Sequence, residues 1–301
     1  MAEALPKVSI VTPSLNQGRF LEETILSVLR QGYPDLEYII IDGGSTDNSA
    51  EIIRKHQKSL TYWVSEPDRG QAHAINKGME RATGEVVAWL NSDDLYADGA
   101  IRRAVASLQA HPEVAMVYSD YDVRYETTGE IKRMTSRLKD SRTIFSDVSV
   151  CPIPQPTVFL RRSVWEEVGP LNEKLHLAMD YDLWVRVLGR HTAFYLPGAS
   201  FALIRYYADA KTFKFSNRQA HEFLDIFDRT FNDPHGPAVP ADLRRDAYVY
   251  AYLRCAVAAV RSEHSYLDGA GWLVRSLKIA PVKTVALMAR KILKSLGAEP
   301  I

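Results

Sequence analysis

Residues 85–94 of the chain read EVVAWLNSDD, and this segment is the clearest indication of the fold class. Five apolar residues from Val86 to Leu90 predict a buried strand, and Asn91-Ser92-Asp93-Asp94 ends it with polar side chains. Carboxylate and amide oxygens in a loop after a strand are ligands that Mg²⁺ or Mn²⁺ prefers. The same residue types are common in ordinary turns and helix caps, so this stretch alone leaves both interpretations open.

The same alternation of apolar and polar segments extends to both sides of this stretch. The predicted strands are Val8–Thr12, Tyr38–Ile41, Leu60–Ser65, Glu85–Leu90 and Val114–Ser119, and the predicted helices are Glu22–Leu29, a segment ending near His56, Ala72–Ala82 and Ile101–Gln109. Strands separated by helices of this length predict βαβ units and a mainly parallel sheet. Because ligands bind beyond the carboxyl ends of such strands, Asp42, Glu66–Arg69 and Asn91–Asp94 should lie at one edge.

The second half of the chain no longer shows the regular alternation of strands and helices. Tyr/Thr-rich segments around Thr128-Gly129 predict a hairpin. Further on we expect a strand at Thr157–Leu160, a helix from Asp180 to Leu188, and strands at Ala193–Leu196 and Ser200–Tyr206. After Lys211 the pattern is helical, with breaks at Asn232–Pro240, near Gly269 and at Pro281. We therefore predict an α/β domain over residues 1–212 and a helical C-terminal region over residues 213–301.

Composition excludes several classes of protein. Lys plus Arg number 37 and Asp plus Glu also number 37, so the basic excess expected of a protein that tracks a nucleic-acid backbone is absent. Cys151 and Cys255 are too few and too far apart in sequence for a disulfide framework or a zinc site, which fits a reducing cytoplasm. Residues 1–6 lack the features of a signal peptide, and no uncharged apolar run approaches the ~20 residues of a spanning helix.

Four blocks occur in order at the predicted strand ends: VSIVTPSLN (8–16), IDGGSTD (41–47), GQAHAINKG (70–78) and WLNSDD (89–94). Together they resemble the family 2 glycosyltransferases, which have the GT-A fold and use nucleotide-sugar donors. Residues 179–186, MDYDLWVR, resemble a later acidic motif of that family. The resemblance covers roughly residues 7–212, and it implies a Rossmann-like, mainly parallel sheet with helices on both faces.

The resemblance also implies roles for individual residues near the donor. The residues matched to nucleotide-sugar binding are Pro13, Leu15, Asp42, Gln71, Asn76 and Asn91. Asp42 resembles the acid that hydrogen-bonds the base, and the backbone of Pro13 and Leu15 resembles the pocket wall. Asp93 resembles the acid that holds the Mg²⁺ or Mn²⁺ ion bridging the donor phosphates. Asn91 stands where the family often has an acid, and Asp94 is expected to support the loop or cap a helix.

Asp180 resembles the catalytic base of the family. An independent chemical argument supports a carboxylate there, because inverting transfer requires the acceptor hydroxyl to lose its proton as it attacks. The Glu that usually precedes this base is replaced by Met179, and Asp182 should point away from Asp180. The alternative is that both acids only stabilise a helix N-terminus, worth about 0.3–1 kcal/mol.

Four further residues complete the candidate site. Gln155 follows a Pro-rich stretch and is a candidate for the acceptor side, although it also fits an ordinary loop. Residues 205–212, RYYADAKT, resemble a family segment in which Tyr207 stands where a His is common. Within that segment Arg205 and Lys211 are candidate diphosphate contacts.

The C-terminal part of the chain is basic. From Gly271 to Ile301 there are six cations against the single acid Glu299. They are Arg275, Lys278, Lys283, Arg290, Lys291 and Lys294. Apolar positions 282, 285, 286, 289, 292, 293 and 296 share one helical face. This pattern predicts contact with an anionic membrane through residues 271–301, but a solvated helix packed on the domain fits it equally.

The function that the sequence predicts is inverting, metal-dependent transfer of a sugar from a UDP- or dTDP-linked donor to a hydroxyl. The resemblance implies a saccharide or lipid-linked acceptor, in polysaccharide or glycolipid synthesis on the cytoplasmic face of a bacterial membrane. One alternative is a nucleotidyltransferase, for which residues 13–19 lack the expected Gly-rich, basic loop. The other is a non-catalytic sugar-nucleotide-binding protein, which the departures at Asn91, Met179 and Tyr207 favour and the retained acids oppose.

Overall fold

The computed structural model of the protein describes residues 5–136, 138, 144–145, 151–211, 216–234, 236–262 and 264–295. The chain divides into two compact units. The described parts of 1–137 and 153–210 form the N-terminal unit, and those of 138–152 and 211–301 form the C-terminal unit.

The N-terminal unit alternates strands and helices along most of its length. Its elements are β1 (Val8–Ser14), α1 (Gly18–Leu29), β2 (Leu36–Asp42), α2 (Ser49–His56), β3 (Tyr62–Ser65), α3 (Gln71–Met79), β4 (Val86–Trp89), β5 (Leu95–Tyr96), α4 (Ala100–Ala110), β6 (Met116–Tyr125), β7 (Ile131–Met134), β8 (Phe159–Arg161), α5 (Arg162–Val168), α6 (Met179–Leu188) and β9 (Ala193–Tyr206). All described strands belong to one sheet, ordered β3-β2-β1-β4-β8-β6-β9-β5, with β7 paired to β6.

The predicted parallel arrangement is confirmed in the first half of the sheet. There β1 pairs in parallel with both β2 and β4, and β2 pairs in parallel with β3. The second half is mixed, because β8 inserts antiparallel between β4 and β6 while β6 and β9 run parallel. The predicted hairpin is also confirmed, as β6 and β7 pair antiparallel across the Thr128-Gly129 turn. The two predicted strands after residue 193 form one strand, β9, whose register against β6 shifts next to Asp120.

Strand β1 continues two residues beyond its predicted end at Thr12, to Ser14. Its pairing with β4 ends at Val11 opposite Trp89, whereas its pairing with β2 continues to Ser14 opposite Asp42. Pro13 therefore lies where β1 is paired on one side only, and a proline is tolerated at such edge-like positions because no ladder hydrogen bond is lost there.

A buried carboxylate holds the amino-terminal side of the sheet together. Glu37 on β2 accepts hydrogen bonds from the Ser9 hydroxyl (2.5 Å) and from the Thr83 amide (2.7 Å) and hydroxyl (2.9 Å). Lys7 Nζ lies 3.1 Å from the same side chain. Burial by itself raises the pKa of Glu37, but these donors outweigh it and leave the pKa below its ordinary value.

The C-terminal unit is helical over its described residues, as predicted. It contains α7 (Ser216–Asn232), α8 (Ala241–Ser262), α9 (Tyr266–Ile279) and α10 (Pro281–Ser295). The predicted breaks at Asn232–Pro240 and Pro281 are confirmed. The break predicted near Gly269 lies a few residues earlier, between Ser262 and Tyr266, so that Gly269 itself is inside α9. A Cβ at Gly269 would lie 2.7 Å from Val260 Cγ2, so this glycine lets α9 pack closely on α8.

Aromatic rings dominate the core of this unit. Phe227 and Phe231 on α7 stack at 5.4 Å, and Tyr248 on α8 meets both rings edge-on. Among the helices of the described ranges, none combines the length and the apolar character needed to cross a membrane.

Candidate functional site

The carboxyl ends of the four parallel strands meet at one edge of the sheet. In register, Ser14 at the end of β1 lies opposite Asp42 at the end of β2, which lies opposite Ser65 at the end of β3. The Leu90 amide donates to the Val11 carbonyl (2.9 Å), which brings the loop after β4 to the same edge. The strand ends that the sequence assigned to one edge are therefore together.

Asp42 organises the loop that follows β2. Its carboxylate is fully buried and accepts hydrogen bonds from the Ser45 amide (2.9 Å), the Ser45 hydroxyl (2.5 Å) and the Ser65 hydroxyl (2.6 Å). The loop after β1 is bound to it in turn, since the Asn16 amide donates to Ser45 Oγ (2.8 Å) and Asn16 Oδ1 accepts from the Thr46 amide (2.8 Å). Asn16 adopts φ +52°, a left-handed conformation that asparagine tolerates better than most residues.

Residues at the end of β1 differ in how exposed they are to solvent. Pro13 is buried within β1, whereas Leu15 is 52% exposed just beyond it. Within the described residues Ser14 Oγ is buried and has no hydrogen-bond partner. A buried hydroxyl at a strand end, next to an exposed apolar side chain, is a position where a ligand group would satisfy an unmet hydrogen bond.

Three amide side chains form a chain of hydrogen bonds behind the β4 loop. Gln71 Nε2 donates to Asn91 Oδ1 (2.8 Å), and Asn91 Nδ2 donates to Gln155 Oε1 and to Asp94 Oδ2 (3.2 Å each). Gln155 Nε2 then donates to the Trp89 carbonyl (2.7 Å). A carboxylate at position 91 would face two acceptors, Gln155 Oε1 and Asp94 Oδ2, so an amide suits this position where the family often has an acid.

Asp93 and Asp94 differ sharply although they are adjacent. Asp93 is partly exposed, and its Oδ2 accepts a hydrogen bond from the Tyr207 hydroxyl (2.6 Å). Asp94 is buried, and burial together with the negative charge of Asp93 raises its pKa well above the ordinary range. Burial, followed by the charge of Asp93, also raises the pKa of Tyr207, so this hydroxyl stays protonated as a donor.

Arg205 lies beneath the loop that carries Asp93. Its side chain is completely buried; Nη1 donates to the Asp93 carbonyl (2.7 Å) and Nη2 to Glu23 Oε2 (2.5 Å). Burial alone would raise the pKa of Glu23, but Arg205 and then Arg124 lower it overall. Tyr207 packs nearby, with its ring 5.0 Å from Phe20. In this arrangement the Arg205 guanidinium contacts protein groups and is shielded from solvent.

Helix α6 carries the two acids of the later motif, and they differ in environment. Asp180 is partly exposed in the first turn, and its Oδ1 accepts from the Tyr181 amide (2.8 Å). Asp182 is buried and accepts from Arg186 Nε (3.0 Å), whose other nitrogens bind the carbonyls of residues 168–170. Asp182 therefore forms part of a structural link between α6 and the end of α5.

Two remaining candidates have structural partners or lie elsewhere. Asn76 is buried on α3, and its amide exchanges two hydrogen bonds with the backbone of Leu171 (3.0 Å and 2.9 Å). Lys211 is exposed and falls in the C-terminal unit. The structure thus brings together Gln71, Asn91, Asp94 and Gln155 in one cluster, and Asp93, Arg205 and Tyr207 in another.

Sequence reasoning missed two residues that position the site. Trp184 on α6 stacks on Trp89 at the end of β4 (5.6 Å, 20°), which fixes the helix of Asp180 against the strand that leads to Asn91. Thr24 is buried on α1, and its hydroxyl lies 2.9 Å and 2.8 Å from the carbonyl oxygens of Ser92 and Asp94. A lone polar residue among the buried apolar positions of α1 was the available signal for Thr24.

The residues around Asp93 fit a cation that shares its coordination with a ligand. Among the residues the structure describes, no cluster of three or more His, Cys, Asp or Glu side chains could enclose a metal by itself. Asp93 supplies one partly exposed carboxylate, and its charge already raises the pKa of Asp94. Mg²⁺ is commonly bound through one or two carboxylates, with substrate phosphates and water completing its shell. This donor set fits such a site.

Comparison with known proteins adds independent information. An uncharacterized glycosyltransferase from Nostoc sp. is 30% identical over 174 residues, which are 55% of this chain and 54% of the relative. The chain thus spans about half the length of that relative. S. aureus TarS 1–349 in complex with UDP-GlcNAc has a TM-score of 0.69 at 16% identity, covering 93% of this chain and 83% of TarS 1–349.

A second solved structure has the same fold. Mannosyltransferase PcManGT from Pyrobaculum calidifontis, in complex with GDP-Man and Mn²⁺, has a TM-score of 0.63 at 21% identity, covering 97% of this chain and 81% of that one. These likenesses confirm the predicted GT-A fold with a helical C-terminal region. The family model described as Glycosyl transferase family 2 matches residues 9–169, more than half of the chain. The chain belongs to glycosyl transferase family 2.

Proposed function

We propose that the protein is a glycosyltransferase that moves a sugar from a nucleotide diphosphate donor to an acceptor hydroxyl with inversion. The main support for this proposal is that Asp42, Asn91 and Asp93 all lie at the carboxyl edge of the parallel strands. We assign the chemistry to residues 1–212 and treat residues 213–301 as a helical accessory region. TarS bound to UDP-GlcNAc supports a uridine nucleotide, so UDP- or dTDP-sugars are the proposed donors.

The nucleotide end of the donor is assigned to the loops after β1 and β2. A carboxylate offers about four lone-pair sites, and three hydrogen bonds to Asp42 leave one for a base N–H. Because Asp42 is fully buried, that contact requires the groups that cover its carboxylate to move. The exposed Leu15 and the backbone of Pro13 then form the wall against the base, and the unpartnered Ser14 hydroxyl gains a ligand partner.

The diphosphate end is assigned to the loop after β4. Asp93 would hold Mg²⁺ or Mn²⁺, which when bound would neutralise the charge developing on the leaving diphosphate. Gln71 and Asn91 hold the loop in place through their mutual hydrogen bond, and Asp94 supports it from the buried side. Lys211 remains a proposed diphosphate contact, whereas the buried Arg205 is better suited to hold the backbone of Asp93.

Asp180 is the proposed general base. As the acceptor oxygen attacks the anomeric carbon, its proton passes to the Asp180 carboxylate, and the bond from that carbon to the donor phosphate oxygen breaks. The partial exposure of Asp180 leaves it reachable by an acceptor, and the Trp89–Trp184 stack holds its helix against β4. Gln155 is the proposed link between the acceptor side and Asn91.

The acceptor and the setting follow from the family resemblance alone. We propose a saccharide or lipid-linked saccharide acceptor, used in polysaccharide or glycolipid synthesis. The proposed location is the cytoplasm, peripheral on the inner face of the membrane.

The proposal is tested by a thermal-shift and donor-hydrolysis screen over nucleotide sugars, each with and without Mn²⁺. A UDP- or dTDP-sugar should raise the unfolding temperature and be turned over. If no nucleotide diphosphate stabilises the protein in either condition, the donor site is wrong. Stabilisation without any transfer or hydrolysis would favour a non-catalytic binding protein, and release of pyrophosphate from a triphosphate would favour a nucleotidyltransferase.

The role of Asp180 is tested separately. Asp180→Asn should retain donor stabilisation and lose transfer, because only the proton acceptor is removed. Asp182→Asn is the matched control, since Asp182 is buried against Arg186 and should affect stability rather than the chemical step. Undiminished transfer by Asp180→Asn would reassign the base.

A further inference from the structure

The C-terminal unit exposes an unusual concentration of apolar side chains. Of the ten large hydrophobic residues that are exposed in the described part of the chain, six lie on α9 or in the first turns of α10. They are Tyr266, Leu267, Val274, Ile279, Val282 and Val285. Leu267 is 89% exposed and Val282 is 82% exposed, so most of the surface of each residue is accessible to solvent. Such a concentration on adjoining helices marks an interaction site more often than chance exposure does.

The exposed residues form rows along the two helices. On α9, Leu267, Val274 and Lys278 recur at helical spacing with the exposed Gly271 between them. On α10, Val282, Val285 and Ala289 form a second exposed row. We call these residues the α9–α10 surface.

The opposite faces of the same helices are packed. Gly269 lies against Val260 of α8, and the hydroxyls of Ser276 and Thr284 meet at 2.9 Å in a buried contact between α9 and α10. The apolar rows are therefore not the faces that hold this unit together.

Positive charge borders the apolar rows. Between residues 266 and 295 the sequence has six cations and one acid, Asp268. Arg275, Lys278 and Arg290 are exposed, whereas Lys283 is paired with Asp246 of α8. Asp268 accepts a hydrogen bond from the Ser265 hydroxyl (2.6 Å) at the start of α9, where an acid stabilises the helix N-terminus. With Lys283 paired to Asp246, the segment 266–295 that carries the surface keeps five other cations against one acid, Asp268.

We propose that the α9–α10 surface docks on an anionic lipid bilayer. Exposed aliphatic side chains enter the headgroup boundary while neighbouring Lys and Arg contact lipid phosphates, which is how amphipathic helices bind without spanning. A second copy of the chain is a poor occupant, because two such surfaces would bring like charges together. The proposal extends the contact expected of residues 271–301 to Leu267 on α9, and it is independent of the chemistry at the strand-end edge.

The test is co-sedimentation of the full chain with vesicles. Binding should be strong to vesicles containing phosphatidylglycerol, weak to pure phosphatidylcholine, and weakened by salt because charge attraction is screened. Lys278→Gln with Arg290→Gln should weaken binding on the order of thirtyfold, since each basic residue near such a surface contributes a factor of about five. Val282→Ser with Val285→Ser should also weaken it.

Matched controls come from exposed residues of the N-terminal unit. Lys58→Gln and Ile131→Ser remove an exposed cation and an exposed apolar side chain there, and should leave vesicle binding unchanged. Failure to bind anionic vesicles, equal binding to both vesicle types, or equal effects of test and control variants would each overturn the proposal. Light scattering completes the test: a dimer lost in the Val282 and Val285 double variant would reassign the surface to self-association and overturn lipid docking.

Discussion

Removing the Arg205 guanidinium should destabilise the N-terminal unit more than removing an exposed arginine. The side chain is completely buried between the Asp93 carbonyl (2.7 Å) and the Glu23 carboxylate (2.5 Å). Its guanidinium carbon lies 4.7 Å from the centroid of Phe20. Arg205→Met keeps an aliphatic stem of similar length and removes all the polar contacts, so it isolates what the charged group contributes.

The contacts of Arg205 determine how much stability is lost. A hydrogen bond from a charged group contributes about 1.5–3 kcal/mol, and a cation–π contact contributes about 0.5–2 kcal/mol. Glu23 is 59% exposed, so water hydrates its carboxylate once Arg205 is gone, and the loss of this ion pair lowers the stability only slightly. With the bond to the Asp93 carbonyl and the ring contact both lost, the free energy of unfolding should fall by about 2–5 kcal/mol. For a domain of this size that corresponds to a fall in Tm of roughly 4–20 °C.

Calorimetry of the full chain at neutral pH measures this change. Arg102→Met is the matched control, because Arg102 is exposed and donates one hydrogen bond to the Gly32 carbonyl (3.0 Å). The control should lose less than about 1 kcal/mol, as surface substitutions usually do. If Arg205→Met is no less stable than Arg102→Met, Arg205 does not hold the Asp93 loop as described.

Three further predictions concern single side chains. Tyr207→Phe should weaken Mn²⁺ binding about tenfold in a titration followed by electron paramagnetic resonance, because it removes the hydroxyl that orients Asp93, the proposed metal ligand. Tyr206→Phe should leave the affinity unchanged, and equal affinities of the two variants would contradict this prediction. Glu37→Gln should cost about 1–3 kcal/mol in urea unfolding at pH 7. Because the pKa of Glu37 in the folded protein lies below the ordinary 4.5, this loss of stability should be complete above pH 4.5 and should disappear as the pH falls through the folded pKa. A loss of stability that does not depend on pH would refute this prediction. Gly78→Ala should lower the free energy of unfolding by about 1–3 kcal/mol in the same assay, since its Cβ would lie 2.3 Å from Val11 Cγ1. An unchanged free energy of unfolding would contradict this prediction.

The sequence was most informative where local pattern determines structure. Buried β-branched runs separated by helices of suitable length identified β1 to β4 and their common carboxyl edge, because both depend on local periodicity. The direction of β8 was not predictable from Thr157–Leu160, since a short apolar run carries no information about its partner strands. The break predicted near Gly269 lies between Ser262 and Tyr266 instead, because Gly269 serves a close approach to Val260, a tertiary contact that the local sequence does not reveal.

The site shows the same division between local and tertiary information. The polar residues after each strand could be identified from the sequence, and their individual roles in catalysis and binding stay predictions. The burial of Arg205 could not be predicted, because its partner Glu23 is 182 residues away in sequence. The pairing of Asn91 with Gln155, 64 residues away, is another long-range contact, and it gives a physical reason for an amide at this position.

The most direct test is calorimetric titration of UDP into the parent protein and into Asp93→Asn, each with Mn²⁺ present. If the carboxyl edge of the parallel strands holds a nucleotide diphosphate through a cation at Asp93, UDP should bind the parent. Asp93→Asn should then lose at least about tenfold in affinity, the loss expected when one group of a metal site is weakened. Equal affinity of the two proteins, or no binding of UDP or dTDP to the parent, would contradict the proposed donor site.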